Sequence, residues 1–387
     1  MQRATCAQHI GTIGPQIRLP LVQQHLRKTQ VPLQCRNSRV ATGAAASSNG
    51  NGSAAGGSGV ANTPFTKATT SADTKPAEKS LKTSTPKEES IPKSSIYVAN
   101  LLVRCPDAKG VVASLSQLLY GMNCNIVTSD QFSDLDENHF YQRITLDYSE
   151  LLVGPGNTAV LEHGIKEVAQ RYDMEWKIAY RTKKKRVALL VSKMDHCLYD
   201  LLIRHESGEL DCDIPVVISN WNDLAPVAAK FDIPFRHLPV NTKEPGSKEA
   251  QEAALEALVE ELEIEVIVLA RYMQIFSPSF ADKHWKKTIN VHHSFLPAFH
   301  GAKPYHRAHE RGVKLIGATA HYATSDLDCG PIIDQDVTRV THRDSIADMI
   351  RKGRDLERLV LSRALRWHLN DRVVVTGNEG KTVVFED

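Results

Sequence analysis

The sequence lacks any apolar run long enough to cross a membrane. Its longest candidates, residues 187–191 and 266–269, have the length of a β-strand, whereas a membrane helix needs roughly 18 to 20 apolar residues. The chain has 387 residues, of which 42% are hydrophobic, so it can bury a substantial core. We therefore expect two or three folded domains and no membrane-spanning helix.

Paired cysteines are also missing. The seven cysteines form no Cys-x-x-Cys pair and have no spacing with histidine that is typical of a zinc site. An odd number of scattered cysteines fits a reducing compartment better than a disulfide framework. We expect reduced thiols and no bound metal, and we assign no role to Cys329.

Acidic residues are missing from residues 1–72, which carry seven arginines and lysines among Ser, Thr and Gln. This composition is typical of a transit peptide, and the alternative is a disordered tail without a targeting role. A Gly-, Ser- and Lys-rich stretch follows, to about residue 95. We predict that residues 1–95 are a transit peptide and flexible linker. The transit peptide should direct the chain to an organelle, the mitochondrion rather than the plastid.

The net charge of +2 is distributed unevenly. Residues 1–90 hold 11 Lys and Arg against 4 Asp and Glu, which leaves 36 against 41 for the rest of the chain. Neutralising phosphates requires a concentrated basic surface, and the remainder is mildly acidic. We therefore expect no nucleic-acid partner.

Residues 96–181 predict a small domain with the element order β-α-β-β-α-β. Residues 105–110 (CPDAKG) form the first strand-to-helix turn, and residues 123–126 (NCNI) follow the first helix. With these features the segment resembles an ACT domain. That resemblance implies a homo-oligomer and an amino-acid effector bound by Asp107, Gly110 and Asn125; the alternative is a dimerisation module in which Gly110 serves only the turn.

From residue 185 to residue 387 strands and helices alternate, which predicts an α/β domain with a doubly wound parallel sheet. Sites in such sheets lie beyond the carboxyl ends of the strands, so residues just after Val191, Leu269 and Val291 are placed to bind a ligand. The first strand-to-helix turn holds no glycine, so the sequence offers no phosphate cradle there. His196 and Cys197 begin the following helix, where they either line the cleft or cap the helix.

The strongest polar cluster is residues 289–306 (INVHHSFLPAFHGAKPYH). Side chains two apart on a strand share a face, so Asn290 and His292 should project together and His293 should point away. An amide donor beside an imidazole suits stabilisation of an oxyanion in acyl transfer. Taken alone, an Asn-x-His pair is more often a buried structural pair at a sheet end.

A second cluster, residues 317–333 (GATAHYATSDLDCGPII), places His321 on a strand and Asp328 in a loop. The two clusters together resemble the folate-dependent formyltransferase family. That resemblance implies a Rossmann-like formyltransferase fold, with Asn290, His292 and Asp328 as the catalytic set. The first aspartate of the family's loop is here replaced by Ser325 or shifted to Asp326.

Residues 269–278 (LARYMQIFSP) resemble the loop of the same family that surrounds a pterin ring. The resemblance implies folate contacts by Met273, Gln274, Ile275, Phe276 and His321, and core packing is the alternative for Ile275 and Phe276. The family often has a basic residue where Gln274 stands.

An ACT-like segment followed by this domain, with His293 where the family more commonly has proline, resembles the hydrolytic branch of the family, the formyltetrahydrofolate deformylases. This implies transfer of the formyl group to water, with no cofactor beyond the folate substrate. Two alternatives stay open: a formyltransferase that uses an amine acceptor, and a non-enzymatic folate or amino-acid sensor. The turn at Met194 and Asp195 disfavours a phosphate-bearing acceptor.

Overall fold

The computed structural model describes residues 96–241, 243–298, 304–376 and 380–386. The predicted transit peptide and linker, residues 1–95, lie outside the described residues. No helix in the part of the chain that the structure describes has the length and apolarity required to cross a bilayer. Residues 96 onwards belong to one compact unit.

Residues 98–180 form a four-stranded antiparallel sheet with two helices, in the predicted β-α-β-β-α-β order. The spatial order of the strands is β2-β3-β1-β4. Apolar residues on β1, among them Leu101 and Val103, pack against Leu115 and Leu119 of the first helix and Leu161 of the second. The bounds are β1 Val98–Pro106, α1 Val111–Gly121, β2 Asn125–Asp134, β3 His139–Asp147, α2 Thr158–Tyr172 and β4 Glu175–Tyr180.

A seven-stranded sheet follows, in the order β11-β10-β9-β8-β5-β6-β7. The five strands from β9 to β7 are parallel, as predicted. The sheet is nevertheless mixed, because β10 and β11 add two antiparallel strands at one edge. Its strands are β5 Lys185–Val191, β6 Cys212–Ser219, β7 Phe235–His237, β8 Val266–Ala270, β9 Thr288–His292, β10 Leu315–Tyr322 and β11 Ile332–Arg339.

Helices cover both faces of this sheet, and each face has its own buried apolar cluster. The long helix α8 begins at a capping box in which Ser345 and Asp348 satisfy each other's backbone N–H groups. The helices are α3 His196–Glu206, α4 Ala225–Ala229, α5 Ser247–Glu261, α6 Pro278–Lys283, α7 Pro304–Glu310 and α8 Ile346–Leu369. A hairpin of β12 Val373–Thr376 and β13 Lys381–Val384, which the sequence did not predict, follows α8.

The four-stranded sheet is joined to the end of α8 by one buried arginine. The side chain of Arg143, on β3, donates to Asn100 Oδ1 and Thr145 Oγ1 within the sheet. It also donates to the backbone carbonyls of Asn370 and Asp371, which follow α8. Arg143 is 1% exposed, so its charge is retained in the interior by these hydrogen bonds.

Candidate active site

A cavity of about 370 Å³ lies beyond the carboxyl ends of β8 and β9, where the sheet topology predicts a ligand site. Ligand sites in proteins commonly have volumes of about 300 Å³ or more. All eight residues predicted to act in catalysis or to contact folate line this cavity: Asn290, His292, Asp328, Met273, Gln274, Ile275, Phe276 and His321. The two sequence clusters therefore meet in one site.

His292 and Asp328 form a buried pair at the floor of the cavity. His292 Nδ1 lies 3.2 Å from Asp328 Oδ1, and the two side chains are 6% and 7% exposed. The opposite ring nitrogen, His292 Nε2, is buried and has no hydrogen-bond partner among the described residues. A ring that is held at one nitrogen and free at the other is suited to donate to, or accept from, a bound substrate.

The loop that carries Asp328 approaches β10 closely. A side chain at Gly330 would collide with the backbone carbonyl of Tyr322, so only glycine allows this approach. Asp328 itself has a φ of 58°, a left-handed conformation that Asp and Asn adopt more readily than most residues. The loop geometry thus aims the carboxylate at His292.

His321 lies behind Asn290 and orients it. Asn290 Nδ2 is 3.1 Å from His321 Nε2, while His321 Nδ1 is 2.9 Å from the backbone carbonyl of Tyr322. Because a carbonyl only accepts, Nδ1 carries the proton and Nε2 accepts from the Asn290 amide. Burial lowers the pKa of His321, which keeps this ring neutral. A bulge between Ala320 and His321 sets the direction of the ring.

The prediction that His293 points away from His292 is wrong. Strand β9 ends at His292, so the alternation of faces stops there, and both rings line the cavity with centroids 5.1 Å apart. Burial, together with the charge of Arg271, lowers the pKa of His293 to about 4. His293 is therefore neutral near pH 7.

The loop predicted to surround the pterin forms an open apolar wall. Met273 and Ile275 are each 60% exposed, and Phe276 stacks on Phe280 with ring centroids 4.3 Å apart. The Met273 backbone N–H donates to Ser192 Oγ, so this group is used within the protein. The exposed side chains of Met273 and Ile275 leave apolar surface available to a planar ring.

A buried cluster around Glu357 adjoins the cavity, and the sequence did not predict it. Glu357 on α8 is 1% exposed and accepts from His196 Nε2 at 2.8 Å and from Tyr305 Oη at 2.9 Å. Arg271, which lines the cavity, approaches the same carboxylate with its Nε at 3.4 Å. His196 therefore neither caps its helix nor lines the cavity that holds Asn290 and His292; its side chain is a partner of Glu357.

His196, Cys197 and Glu357 are close enough to one another to hold a metal ion. The charge of Arg271 beside Glu357 opposes a cation at this position. Burial raises the pKa of the Cys197 thiol well above its ordinary value, so thiolate, the form that binds metal, is disfavoured. These features favour a structural polar cluster.

The predicted effector residues are not brought together within one chain. Asp107 and Gly110 follow Pro106, which pairs with His139 at one end of the four-stranded sheet. Asn125 pairs with Asp147 at the other end. Eight residues of β1 separate these ends, or roughly 26 Å at about 3.3 Å per residue. The first strand-to-helix turn and β2 therefore cannot share a small ligand within one subunit.

The fold and the cavity belong to a known class of proteins, the formyl transferases. The family model described as formyl transferase matches residues 185–365, the segment that contains the seven-stranded sheet and the cavity. The chain is 50% identical to formyltetrahydrofolate deformylase of Synechocystis sp., over 74% of this chain and 98% of that one. It is 45% identical to the Bacillus subtilis protein of the same name, over 74% and 93%.

The crystal structure of a formyltetrahydrofolate deformylase from Pseudomonas syringae pv. tomato superposes with a TM-score of 0.71 at 47% identity, covering 75% of this chain and 94% of that one. The chain belongs to the formyltetrahydrofolate deformylase family. The resemblance inferred from the two sequence clusters is thereby confirmed, and so is the formyltransferase fold.

Proposed function

We propose that this chain hydrolyses 10-formyltetrahydrofolate to tetrahydrofolate and formate, with Asn290, His292 and Asp328 as the catalytic residues. The observation that carries the proposal is the buried His292–Asp328 pair: both residues line the cavity, and His292 Nε2 has no hydrogen-bond partner in the described part of the chain. The names of the relatives support the substrate and the reaction. The chemistry needs no cofactor beyond the folate itself.

The formyl group of this substrate is an amide, and attack by water requires polarisation of its oxygen. One N–H of the Asn290 amide is used by His321, and the second can donate to the formyl oxygen. His292 in its imidazolium form donates through Nε2 to the same oxygen while Nδ1 donates to Asp328. These donors stabilise the oxyanion that forms when water adds to the carbon.

Asp328 accepts a proton from the attacking water. The new C–O bond gives a tetrahedral intermediate, and collapse of this intermediate breaks the bond between the carbon and N10. N10 takes up a proton as it leaves, so the products are tetrahydrofolate and formic acid, which ionises to formate. The balance is one water consumed and one proton released.

The experiment measures formate released from 10-formyltetrahydrofolate by the chain lacking residues 1–90, with no amine present. We expect release from the unaltered protein and about a hundredfold less or lower from Asp328→Asn. If release begins only when an amine acceptor is added, the protein is a formyltransferase. If folate binds and no formyl group is ever transferred, it is a folate or amino-acid sensor.

We also propose that the ACT-like segment binds a small amino acid in a homo-oligomer. Asp107 and Gly110 are too far from Asn125 in one chain, so a shared site requires residues from a second copy. A φ of 96° at Gly110 supports a tight turn there. Sedimentation and activity are measured with a panel of amino acids; a monomer insensitive to all of them contradicts the proposal.

For residues 1–95 we propose import into an organelle, the mitochondrion before the plastid, because residues 1–72 contain arginine and no acidic residue. The test fuses residues 1–95 to a fluorescent protein in a eukaryotic cell. Signal in mitochondria is the expected result, plastid signal revises the organelle, and signal throughout the cytosol overturns the proposal.

A further inference from the structure

Arg271 lies next to the reaction site and has no assigned role. It follows β8 directly, at the carboxyl end of the sheet, and lines the same cavity as Asn290 and His292. Its φ is 64°, a left-handed conformation that is uncommon for a long side chain and costs about 1 kcal/mol or more. Such conformations persist where the surrounding structure imposes them, and they concentrate at functional sites.

Glu357 holds the Arg271 side chain in place from behind the cavity wall. Burial raises the pKa of Glu357, whereas hydrogen bonding from His196 and the charge of Arg271 lower it by more. The net shift of the pKa is downward, so the carboxylate is charged. A side chain at Gly353 would collide with Tyr305, so glycine at this position lets the Tyr305 hydroxyl reach Glu357. The charge of Arg271 is therefore neutralised inside the protein.

The charge of Arg271 is paired with Glu357, but its Nε–H donor has no hydrogen-bond partner among the described residues. Arg271 Nε is buried, and its 3.4 Å contact with Glu357 is not aligned as a hydrogen bond. Across the described ranges, no carbonyl or side chain accepts a hydrogen bond from this Nε. A guanidinium has five N–H donors in a fork that matches a carboxylate, and buried donors are normally satisfied. A small anion in the cavity would supply the acceptors that the protein does not.

We propose that Arg271 forms a carboxylate-binding subsite that receives the formate product. The proposal rests on the hydrolysis proposed above, in which the former formyl carbon leaves with two oxygens as a planar carboxylate. Asn290 and His292 bind one oxygen during the reaction. The product becomes negatively charged when formic acid loses its proton to give formate. Arg271 pairs with that charge on the side of the cavity next to Glu357.

Two carboxylates lie near this position: Asp328 lines the same cavity and is paired with His292, and Glu357 lies beside Arg271. An anion would therefore be held by the hydrogen-bonding fork of Arg271 and not by an excess of positive charge. His293 is neutral near pH 7 and adds no negative charge, and Glu357 already has His196 and Tyr305 as hydrogen-bond donors. The Met273 and Ile275 side chains leave the opposite wall of the cavity apolar. The site thus separates an apolar wall for the folate ring from the Arg271 guanidinium, which offers N–H donors to the carboxylate.

The test is a ligand-observed proton NMR titration of formate in chloride-free buffer, with the protein saturated by tetrahydrofolate. The variants are Arg271→Gln and Arg271→Lys, and the matched control is Arg354→Gln, an exposed arginine on α8 that does not line the cavity. We expect Arg271→Gln to weaken formate binding by about tenfold or more, as for the loss of a charged hydrogen bond. Arg271→Lys should be intermediate, and the control should match the unaltered protein.

Tetrahydrofolate affinity, measured separately by fluorescence, distinguishes an anion-binding role from a structural one. Unchanged formate affinity in Arg271→Gln overturns the proposal, and so does an equal fall in the affinities for formate and tetrahydrofolate. Formate binding does not depend on turnover. A protein that binds formate through Arg271 and releases none from 10-formyltetrahydrofolate supports the subsite and counts against the proposed hydrolysis alone.

Discussion

His292 Nδ1 lies 3.2 Å from Asp328 Oδ1, although 36 positions separate the two residues in the sequence. One residue ends a parallel strand, and the other occupies a loop held against the neighbouring antiparallel strand. The pair fixes the direction of the His292 ring and leaves Nε2 without a partner in the described part of the chain. This relationship connects the fold to the proposed chemistry.

The backbone at Asp328 determines which substitution tests its charge. Asparagine tolerates the φ of 58° and keeps the shape of the side chain, so Asp328→Asn removes the carboxylate alone. We expect kcat to fall by about a hundredfold or more with little change in folate affinity. Asp328→Ala should in addition lower the melting temperature. Stopped-assay kinetics, folate fluorescence and calorimetry measure these quantities, and full activity in Asp328→Asn contradicts the assignment.

His321 is expected to act through Asn290. The change His321→Leu removes the acceptor of the Asn290 amide, so we expect kcat to fall about tenfold or more with KM nearly constant, because an oxyanion donor loses its orientation. His321→Gln should recover part of the rate, since its amide oxygen can accept. The matched control is His284→Gln, a buried histidine bound to Glu256 outside the cavity. If His321→Leu and His321→Gln raise KM and lower stability to the same extent, His321 has a structural role.

Arg143 is expected to stabilise the contact between the four-stranded sheet and the end of α8. In Arg143→Leu the carbonyls of Asn370 and Asp371 lose their charged donor, and we expect a loss of about 3 kcal/mol in the free energy of unfolding. The control Arg104→Leu breaks a pair with Glu175, which is 79% exposed, and should cost under about 1 kcal/mol. Urea unfolding measures both. Equal effects would contradict the assigned importance of Arg143.

His293 should make the protein less stable in acid. Its folded pKa of about 4 lies below the ordinary value of 6.5, so between these values the unfolded chain binds more protons. The stability that depends on a neutral His293 is present above pH 6.5 and is lost as the pH falls towards 4. Between pH 7.5 and 5 we expect the unaltered protein to lose about 2 kcal/mol more than His293→Gln, in unfolding titrations at each pH. Parallel pH profiles would refute this.

Local sequence features were sufficient for the element order of the first domain, for the parallel strands from β5 to β9 and for the main site, but not for the β12–β13 hairpin. The alternation of strands and helices predicted the parallel strands, and topology placed residues after Leu269 and Val291 at one edge. The clusters around Asn290 and His321 are each contiguous, so their resemblance to a known family was visible before any contact was known. Their meeting in the cavity agrees with that inference.

What the sequence did not predict depends on contacts between distant residues. Glu357 is one of three acidic residues on α8, and nothing adjacent in the sequence marks its contacts with His196, Tyr305 and Arg271. The predicted orientation of His293 is wrong for a different reason. Side chains alternate between the two faces of a sheet only while the strand continues, and β9 ends at His292. The effector site stays a prediction; the sequence did not reveal that Asp107 and Asn125 lie at opposite ends of the sheet within one chain.

Isotope labelling shows whether water takes the formyl group. The chain lacking residues 1–90 is incubated with 10-formyltetrahydrofolate in water enriched in oxygen-18, and the formate is analysed by mass spectrometry. Hydrolysis at the His292–Asp328 pair predicts one labelled oxygen in each formate, and about a hundredfold less labelled formate or lower from Asp328→Asn. Formate without label, or a formyl group recovered only on an added amine, would contradict the account.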